Sequence, residues 1–369
     1  FHEATKLRDT AILTFFLGTG VRISELVGLN IDDIDFNPKT ILKKIVLFTL
    51  LIQVVGSILL IPGLYKAGDQ HFIFNSIFLS ISAFCNAGFS PSPDSLSGFS
   101  GNWYVLSIVM GLIILGGIGF VVFTNIAQKI RFAKKGRIFY LSLHVKIVLI
   151  STVVLIVSGF VFTFISFYKT SLWEIPLSKR ILTALFESVT LRTAGFETIP
   201  QTSFTSSASL FHLVLMFIGG SPGSIAGGVK TTTAFITLLY LLDGNEQRTT
   251  VSFANRRIPS TIINKSITIV SRSVLILLIS AILLSLVENQ LISNGTISLI
   301  DIIYESVSAL ATVGLSRGLT PQLSYLGKLI IIITMYIGRT GIYAMSIKSG
   351  FTGSDNEDLI YPEESLLVG

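Results

Sequence analysis

Three glycines in this sequence, Gly88, Gly195 and Gly314, each close a short apolar run, and the three runs share their text. They read Phe78-Leu-Ser-Ile-Ser-Ala-Phe-Cys-Asn-Ala-Gly88-Phe, Phe186-Glu-Ser-Val-Thr-Leu-Arg-Thr-Ala-Gly195-Phe and Tyr304-Glu-Ser-Val-Ser-Ala-Leu-Ala-Thr-Val-Gly314-Leu. A turn of the Asn-Ala-Gly or Thr-Val-Gly kind carries no nucleophile. Its chemistry is coordination: glycine reaches backbone angles closed to other residues, so carbonyl oxygens can be turned toward an axis, where a ring of them replaces the water shell of a cation. On this reading Asn86, Ala87, Gly88, Thr193, Ala194, Gly195, Thr312, Val313 and Gly314 line one axis with carbonyls inward. The alternative is a set of packing glycines at helix crossings. The glycines are 107 and 119 residues apart, and a second glycine follows each, at Gly116-Gly117, Gly219-Gly220 and Gly338, after 28, 24 and 24 residues. That consistency marks an internal repeat.

The elements holding such turns must be membrane helices. Half of the 369 residues are hydrophobic, 13% are charged and the mean hydropathy is +0.74; a water-facing domain carries about 25% charged residues. A single cysteine excludes a disulfide framework and a cysteine-based zinc site. A bilayer core needs about 20 apolar residues per helix. Six runs qualify: Ile45–Tyr65, Trp103–Ala127, Ile147–Tyr168, Ser209–Leu242, Ser266–Val287 and Leu323–Ile347. None has the flanks of a signal peptide. Three shorter runs, Phe72–Phe84, Ile181–Leu191 and Ser298–Ala311, are too short to cross and read as re-entrant helices, whose C-terminal, partially negative ends point at the axis. The expected fold class is an all-α polytopic membrane protein, with units at 41–136, 137–258 and 259–369. Lys129, Arg131, Lys134, Lys135, Arg137 and Lys146 fall between the second and third spans, and Arg248, Arg256, Arg257 and Lys265 between the fourth and fifth. The positive-inside rule puts both segments in the cytoplasm; they either set topology alone or also dock an acidic partner or lipid headgroups.

The fourth span holds Phe217-Ile-Gly-Gly-Ser-Pro-Gly-Ser-Ile-Ala-Gly-Gly-Val-Lys230. Continuing a helix there costs about 1 kcal/mol per glycine and about 3 for proline, so a break is expected, either lining a cavity or as a passive kink. Lys230 stands in the loop's cytoplasmic rim or starts the next half-helix. Arg339 is costly at membrane depth unless it faces water or a partner; it is a snorkelling topology residue or a positive charge opposing the broken segment. Glu187, Asp301 and Glu305 lie on or beside the short helices and either support the turns or attract cations. The four histidines do not cluster, and no metal-ligand site is argued beyond K+ at the turn carbonyls.

From about Ile41 onward the chain resembles the Trk/Ktr/HKT superfamily of potassium transporters, in particular the membrane subunits of bacterial Ktr systems. The resemblance is carried by Ser82-Ala-Phe-Cys-Asn-Ala-Gly-Phe-Ser90, Leu191-Arg-Thr-Ala-Gly-Phe-Glu-Thr198, Met216-Phe-Ile-Gly-Gly-Ser-Pro-Gly-Ser-Ile-Ala-Gly-Gly-Val-Lys-Thr-Thr-Thr233, Ala311-Thr-Val-Gly-Leu-Ser316, Arg339 in Tyr336-Ile-Gly-Arg-Thr340, and Tyr361-Pro-Glu-Glu-Ser-Leu-Leu-Val-Gly369. It implies four helix–pore loop–helix repeats around a pseudo-fourfold potassium path, and a gating loop below the filter that includes Gly219, Gly220, Ser221, Pro222, Gly223, Gly227, Gly228 and Lys230, with Arg339 opposite. It also implies a multi-pass plasma-membrane location, a homodimer in the lipid bilayer, a cytoplasmic nucleotide-binding ring (KtrA-like) as regulator, no cofactor and no enzymatic activity. Sodium remains open as a coupling ion. Three repeats are recognisable here and the first, expected upstream of Ile41, is missing, so an incomplete and inactive path with a lateral opening beside the first span and the last repeat is the expectation.

Residues 1–40 differ in composition, with four basic and six acidic residues, a net of −2 that leaves +8 for the remainder. Arg8 to Asp35 resembles the start of a tyrosine recombinase catalytic domain of the XerC/XerD or phage-integrase kind, with Arg22 where that family holds a phosphate-binding arginine. Strand transfer needs a nucleophile and acid–base groups around the same phosphate. Their counterparts are missing from the membrane portion, so Arg22 stands isolated, no nucleic-acid partner is expected, and these residues are expected as a small helical unit on the cytoplasmic side. The alternatives to potassium transport are a nonfunctional fusion and DNA recombination.

Overall fold

The computed structural model describes residues 38–134, 140–168, 170–243, 251–254 and 256–340. The recombinase-like segment with Arg22, and the tail beyond Thr340, lie outside the described residues. The elements are α1 (Pro38–Lys66), α2 (Phe72–Phe84), α3 (Trp103–Ile118), α4 (Phe120–Ala133), α5 (Leu143–Ser166), α6 (Leu177–Thr190), α7 (Ser206–Phe217), α8 (Thr231–Asp243), β1 (Val251–Phe253), β2 (Arg256–Ile258), α9 (Ser260–Val287), α10 (Asn289–Ser293), α11 (Leu299–Ala311) and α12 (Tyr325–Thr340).

Local chemistry sets most of the boundaries. Asn102, Ser142 and Thr205 cap α3, α5 and α7 by accepting backbone N–H bonds from Val105, Val145 and Ala208. Ser298 and Asp301 form a capping box at the start of α11. α1 ends where Gly68 turns left-handed (φ +81°) and the Asp69 N–H reaches back to the Leu64 carbonyl. The short helix at 72–84 stands where the apolar run places it. The next, α6, starts four residues before the expected Ile181, because its first turn carries the charged Lys179 and Arg180 and so lies outside the apolar run. Arg180 lies over the Trp173 ring, 4.1 Å from its centroid.

The six apolar runs do not become six straight spans. Among the described residues three helices are long and apolar enough to cross a bilayer unbroken: Ile45–Lys66 within α1, α5 and α9. The run from Trp103 is interrupted at Gly119, and α3 and α4 meet at 94°. The run from Ser209 is interrupted as its glycines require, between α7 and α8. The last run is described as far as Thr340, and α12 has 16 residues. The basic segment before α9 folds partly into a hairpin that its sequence did not announce. Val251 pairs with Ile258 there, and both are buried against Ile263.

Each long helix packs on the short one that follows it, and in two cases through the same device. Ser80 on α2 donates to the Gln53 carbonyl (2.7 Å), and a side chain at Gly56 would stand 2.5 Å from that hydroxyl. Ser188 on α6 donates to the Ile156 carbonyl (2.6 Å), and a side chain at Gly159 would stand 2.6 Å from it. A small residue lets the backbones close up so that a hydroxyl can bond across helices. Two of the short helices, α2 and α6, meet inside, where Leu79, Ala83 and Phe186 share one buried cluster with Val109 of α3 and Phe196, while Tyr304, Val307 and Ala311 of α11 are buried with Leu191 and Leu215 in a second. Leu51 and Ile58 on α1, Val153 on α5 and Leu275 on α9 stay exposed, an apolar perimeter suited to lipid.

Candidate functional site

The three short helices end in the same kind of turn. Asn86, Thr193 and Thr312 are all left-handed (φ +48°, +67° and +54°), and Gly88, Gly195 and Gly314 two residues later also have positive φ (+73°, +83° and +94°). After α2 the Asn86 N–H bonds to Ala83 and the Ala87 N–H to Ser82; after α11 the Thr312 N–H bonds to Ala309 and the Val313 N–H to Ser308. These are Schellman closures. The block ending at Gly195 is one residue shorter, and there Ala194 and Gly195 both donate to the Thr190 carbonyl. A hydroxyl behind each turn fixes it. Ser82 donates to the Phe89 carbonyl and Thr190 to the Phe196 carbonyl (2.7 Å each), while Ser308 accepts from the Gly314 N–H (3.2 Å). Sequence reasoning missed these three hydroxyls, although the aligned runs show Ser or Thr at that place each time.

The turns stand against one another. A side-chain carbon at Gly88 would lie 2.7 Å from the Ala194 carbonyl oxygen, and one at Gly195 would overlap the Val313 carbonyl. One at Gly314 would meet nothing within 4 Å. The contacts therefore run from Gly88 to Gly195 to Val313, with open space beyond Gly314.

The second set of glycines covers the ends of the short helices. A side chain at Gly116 would run into the Phe84 carbonyl and one at Gly338 into the Leu310 carbonyl. In each case the helix after the turn crosses the C-terminal end of the short helix at backbone distance. Gly219 serves differently, because its helix has already ended.

Residues 218–230 fold back on themselves. Ile218 and Val229 form a parallel bridge; Gly219 donates to Val229 (3.0 Å), Gly220 to Gly227 (3.3 Å) and Thr231 to Gly220 (3.0 Å). Gly219, Gly220, Ser221 and Gly227 are buried, Pro222 and Gly223 less so. Gly223 and Gly228 are left-handed. Gly227 lies under the turns: its N–H donates to the Thr193 hydroxyl (2.8 Å), and a side chain there would overlap the Ala311 carbonyl and the Thr312 hydroxyl. Lys230 immediately precedes α8 and turns its ammonium back to the Ala226 carbonyl (3.0 Å). Arg339 donates to the Ile225 carbonyl at 3.5 Å.

Behind the last two turns runs a polar network. The fully buried Glu187 accepts from the Gln201 amide (2.9 Å), and the Gln201 side-chain carbonyl accepts from Tyr304 (2.8 Å). Arg317 pairs with Asp301 (2.7 Å) and donates to the Gln201 carbonyl and the Ser209 hydroxyl. Glu305 accepts from Ser316 (2.8 Å) and Thr320, both just beyond Gly314. Burial pushes the Glu197 carboxyl above the usual carboxylate range, against the Gln201 N–H it accepts. Glu187, Asp301 and Glu305 are thus engaged in scaffolding contacts. Among the described residues no group of three or more His, Cys, Asp or Glu is placed to hold a metal ion.

The sequence profile TrkH, described as cation transport protein, matches residues 37–355, and the phage integrase family profile matches residues 1–45. The potassium/sodium uptake protein NtpJ of Enterococcus hirae is 34% identical over 87% of this chain and 70% of its own length. The Ktr system potassium uptake protein B of Vibrio alginolyticus is 33% identical over 90% of this chain and 71% of its own, and that of Bacillus subtilis 31% over 89% and 71%. The crystal structure of the potassium transporter TrkH from Vibrio parahaemolyticus superposes with a TM-score of 0.67, covering 92% of this chain and 72% of that one at 18% identity.

Proposed function

This chain belongs to the TrkH family of cation transport proteins, and on that premise we propose that its three glycine turns select potassium while residues 218–230 gate the path below them. It is a multi-pass plasma-membrane protein that moves potassium across the bilayer, an ion transporter and not an enzyme. The observation that carries the gate is Gly227, whose N–H is bonded to the Thr193 hydroxyl on one filter turn and whose bare Cα faces the backbone of another. Glycine lets backbone enter a space too narrow for side chains. Carbonyls of the three turns supply the coordination, and Arg339 adds a positive charge beside the loop. Sodium is the second ion the reading allows, since one relative is named for both.

The three helix–turn–helix units, 41–136, 137–258 and 259–369, are proposed as successive segments of the ion path. The partners proposed are a second copy of the chain and a cytoplasmic nucleotide-binding ring, supported by the resemblance and by the basic segments on that side. No DNA chemistry is assigned to the segment around Arg22.

The test is initial potassium uptake in a host lacking its own uptake systems. The full chain is expected to restore it, shortening Ser221–Ala226 to raise its velocity, and Arg339→Gln to act in the same direction. A correctly inserted loop deletion that lowers uptake sinks the gate.

A further inference from the structure

The apolar run from Trp103 to Ala133 breaks at Gly119 without a proline. A helix that stops leaves its last carbonyls without partners. In a continuous helix the Gly116 carbonyl would accept from the Phe120 N–H, and the Gly117 carbonyl from the Val121 N–H. Here Gly116 accepts from the Ile225 N–H (3.3 Å), Gly117 accepts from the Ser221 N–H (3.0 Å), and the Phe120 N–H donates to the Gly223 carbonyl (3.2 Å). The Gly116 and Gly117 carbonyls and the Phe120 N–H, which a straight helix would pair within the run, bond to residues 221–225 instead.

We propose that these residues stand in for the missing turn of helix, so that their withdrawal lets Trp103–Ala133 close into one straight helix: gate and bend are two halves of a single switch. The inference rests on reading residues 218–230 as the gate and adds what that gate is exchanged against. Straightening restores the helical bonds of the Gly116 and Gly117 carbonyls and releases the Ser221 and Ile225 N–H groups and the Gly223 carbonyl, which then need water or other partners. Gly119 makes the exchange feasible. Its φ of +93° is open to glycine in the bent state, and a side chain there would stand 2.6 Å from the Pro222 carbonyl. The crook of the bend holds a small cavity of about 40 Å³ bordered by Phe48, Gly119, Phe120 and Gly223. The far end of α4 carries Lys129, Arg131 and Lys134, a handle that an acidic cytoplasmic surface can pull.

The experiment places spin labels on the exposed positions Tyr104→Cys and Ile130→Cys, in a Cys85→Ser background of the full chain in lipid nanodiscs. At 1.5 Å per residue and a 94° bend the Cα separation is about 27 Å, and a straight helix would make it about 39 Å. Shortening Ser221–Ala226, and separately Gly119→Ala, should move the distance distribution to the longer value, with potassium uptake measured on the same variants. Gly119→Ala keeps the test open should the deletion fail to insert. Raised uptake with the separation still short overturns the exchange and leaves the gate standing. A lengthened separation with uptake unchanged supports the exchange and overturns the gate reading. A short separation in inserted Gly119→Ala overturns the exchange.

Discussion

Gly195 lets its backbone lie against the Val313 carbonyl, Gly88 leaves 2.7 Å for a side-chain carbon beside the Ala194 carbonyl, and Gly314 leaves open space. All three have positive φ, so alanine at any of them carries the strain of a left-handed backbone, of order 1–3 kcal/mol. At Gly314 that strain is the whole cost, whereas at Gly88 and Gly195 backbone must also move. Thermal unfolding in detergent should therefore rank Gly195→Ala as most destabilising, Gly88→Ala next and Gly314→Ala least. A Gly314 variant as unstable as the Gly195 one would contradict the packing of the turns. The glycine positions were legible in the sequence because their spacing repeats. Which of them touch was not, since that depends on how units 107 and 119 residues apart come together.

At the scale of elements, the polar network that joins α6, α7 and α11 makes the sharpest claim. Arg317 links Asp301, the Gln201 carbonyl and the Ser209 hydroxyl, and the two ion-pair side chains are 11% and 18% exposed. Removing one partner of a fully buried pair costs about 3–5 kcal/mol; residual solvent contact puts Arg317→Met below that range but above the about 1 kcal/mol of a surface pair. The loss should show as a lowered unfolding temperature, recovered in part by the double variant with Asp301→Asn, which no longer strands a carboxylate. Failure of that recovery would mean that Arg317 acts through its packing and its bonds to Gln201 and Ser209 and not through the ion pair. Sequence reasoning singled out Glu187, Asp301 and Glu305 as support or as cation attractors and missed Arg317 and Gln201. Neither stands in an apolar run, and their partners lie 16 and 103 residues away.

For the whole molecule, the apolar perimeter and the basic segments together set a direction in the bilayer. Cysteine at Lys134, at the end of α4, should react with a membrane-impermeant maleimide only from the cytoplasmic face. Cysteine at Ser92, in the loop after Gly88, should react only from outside. Labelling of both from one side would overturn the orientation and with it the placing of residues 218–230 on the cytoplasmic side of the turns.

Composition and periodicity by themselves determined that the chain lives in a membrane, that three short helices lie between longer ones, and that a glycine turn follows each. Those features depend on residue type and near neighbours: an apolar run of 13 residues cannot cross, and a backbone at positive φ favours glycine wherever it sits. Only the tertiary structure decided that the run from Trp103 bends at Gly119. Nothing within that run disfavours a straight helix more than its other glycines do, and the bend is held by amides of residues 221–225, about a hundred positions away along the chain. It alone decided, too, that Gly116 and Gly338 let later helices cross the ends of earlier ones, because a missing side chain acquires meaning only from the backbone that occupies its place.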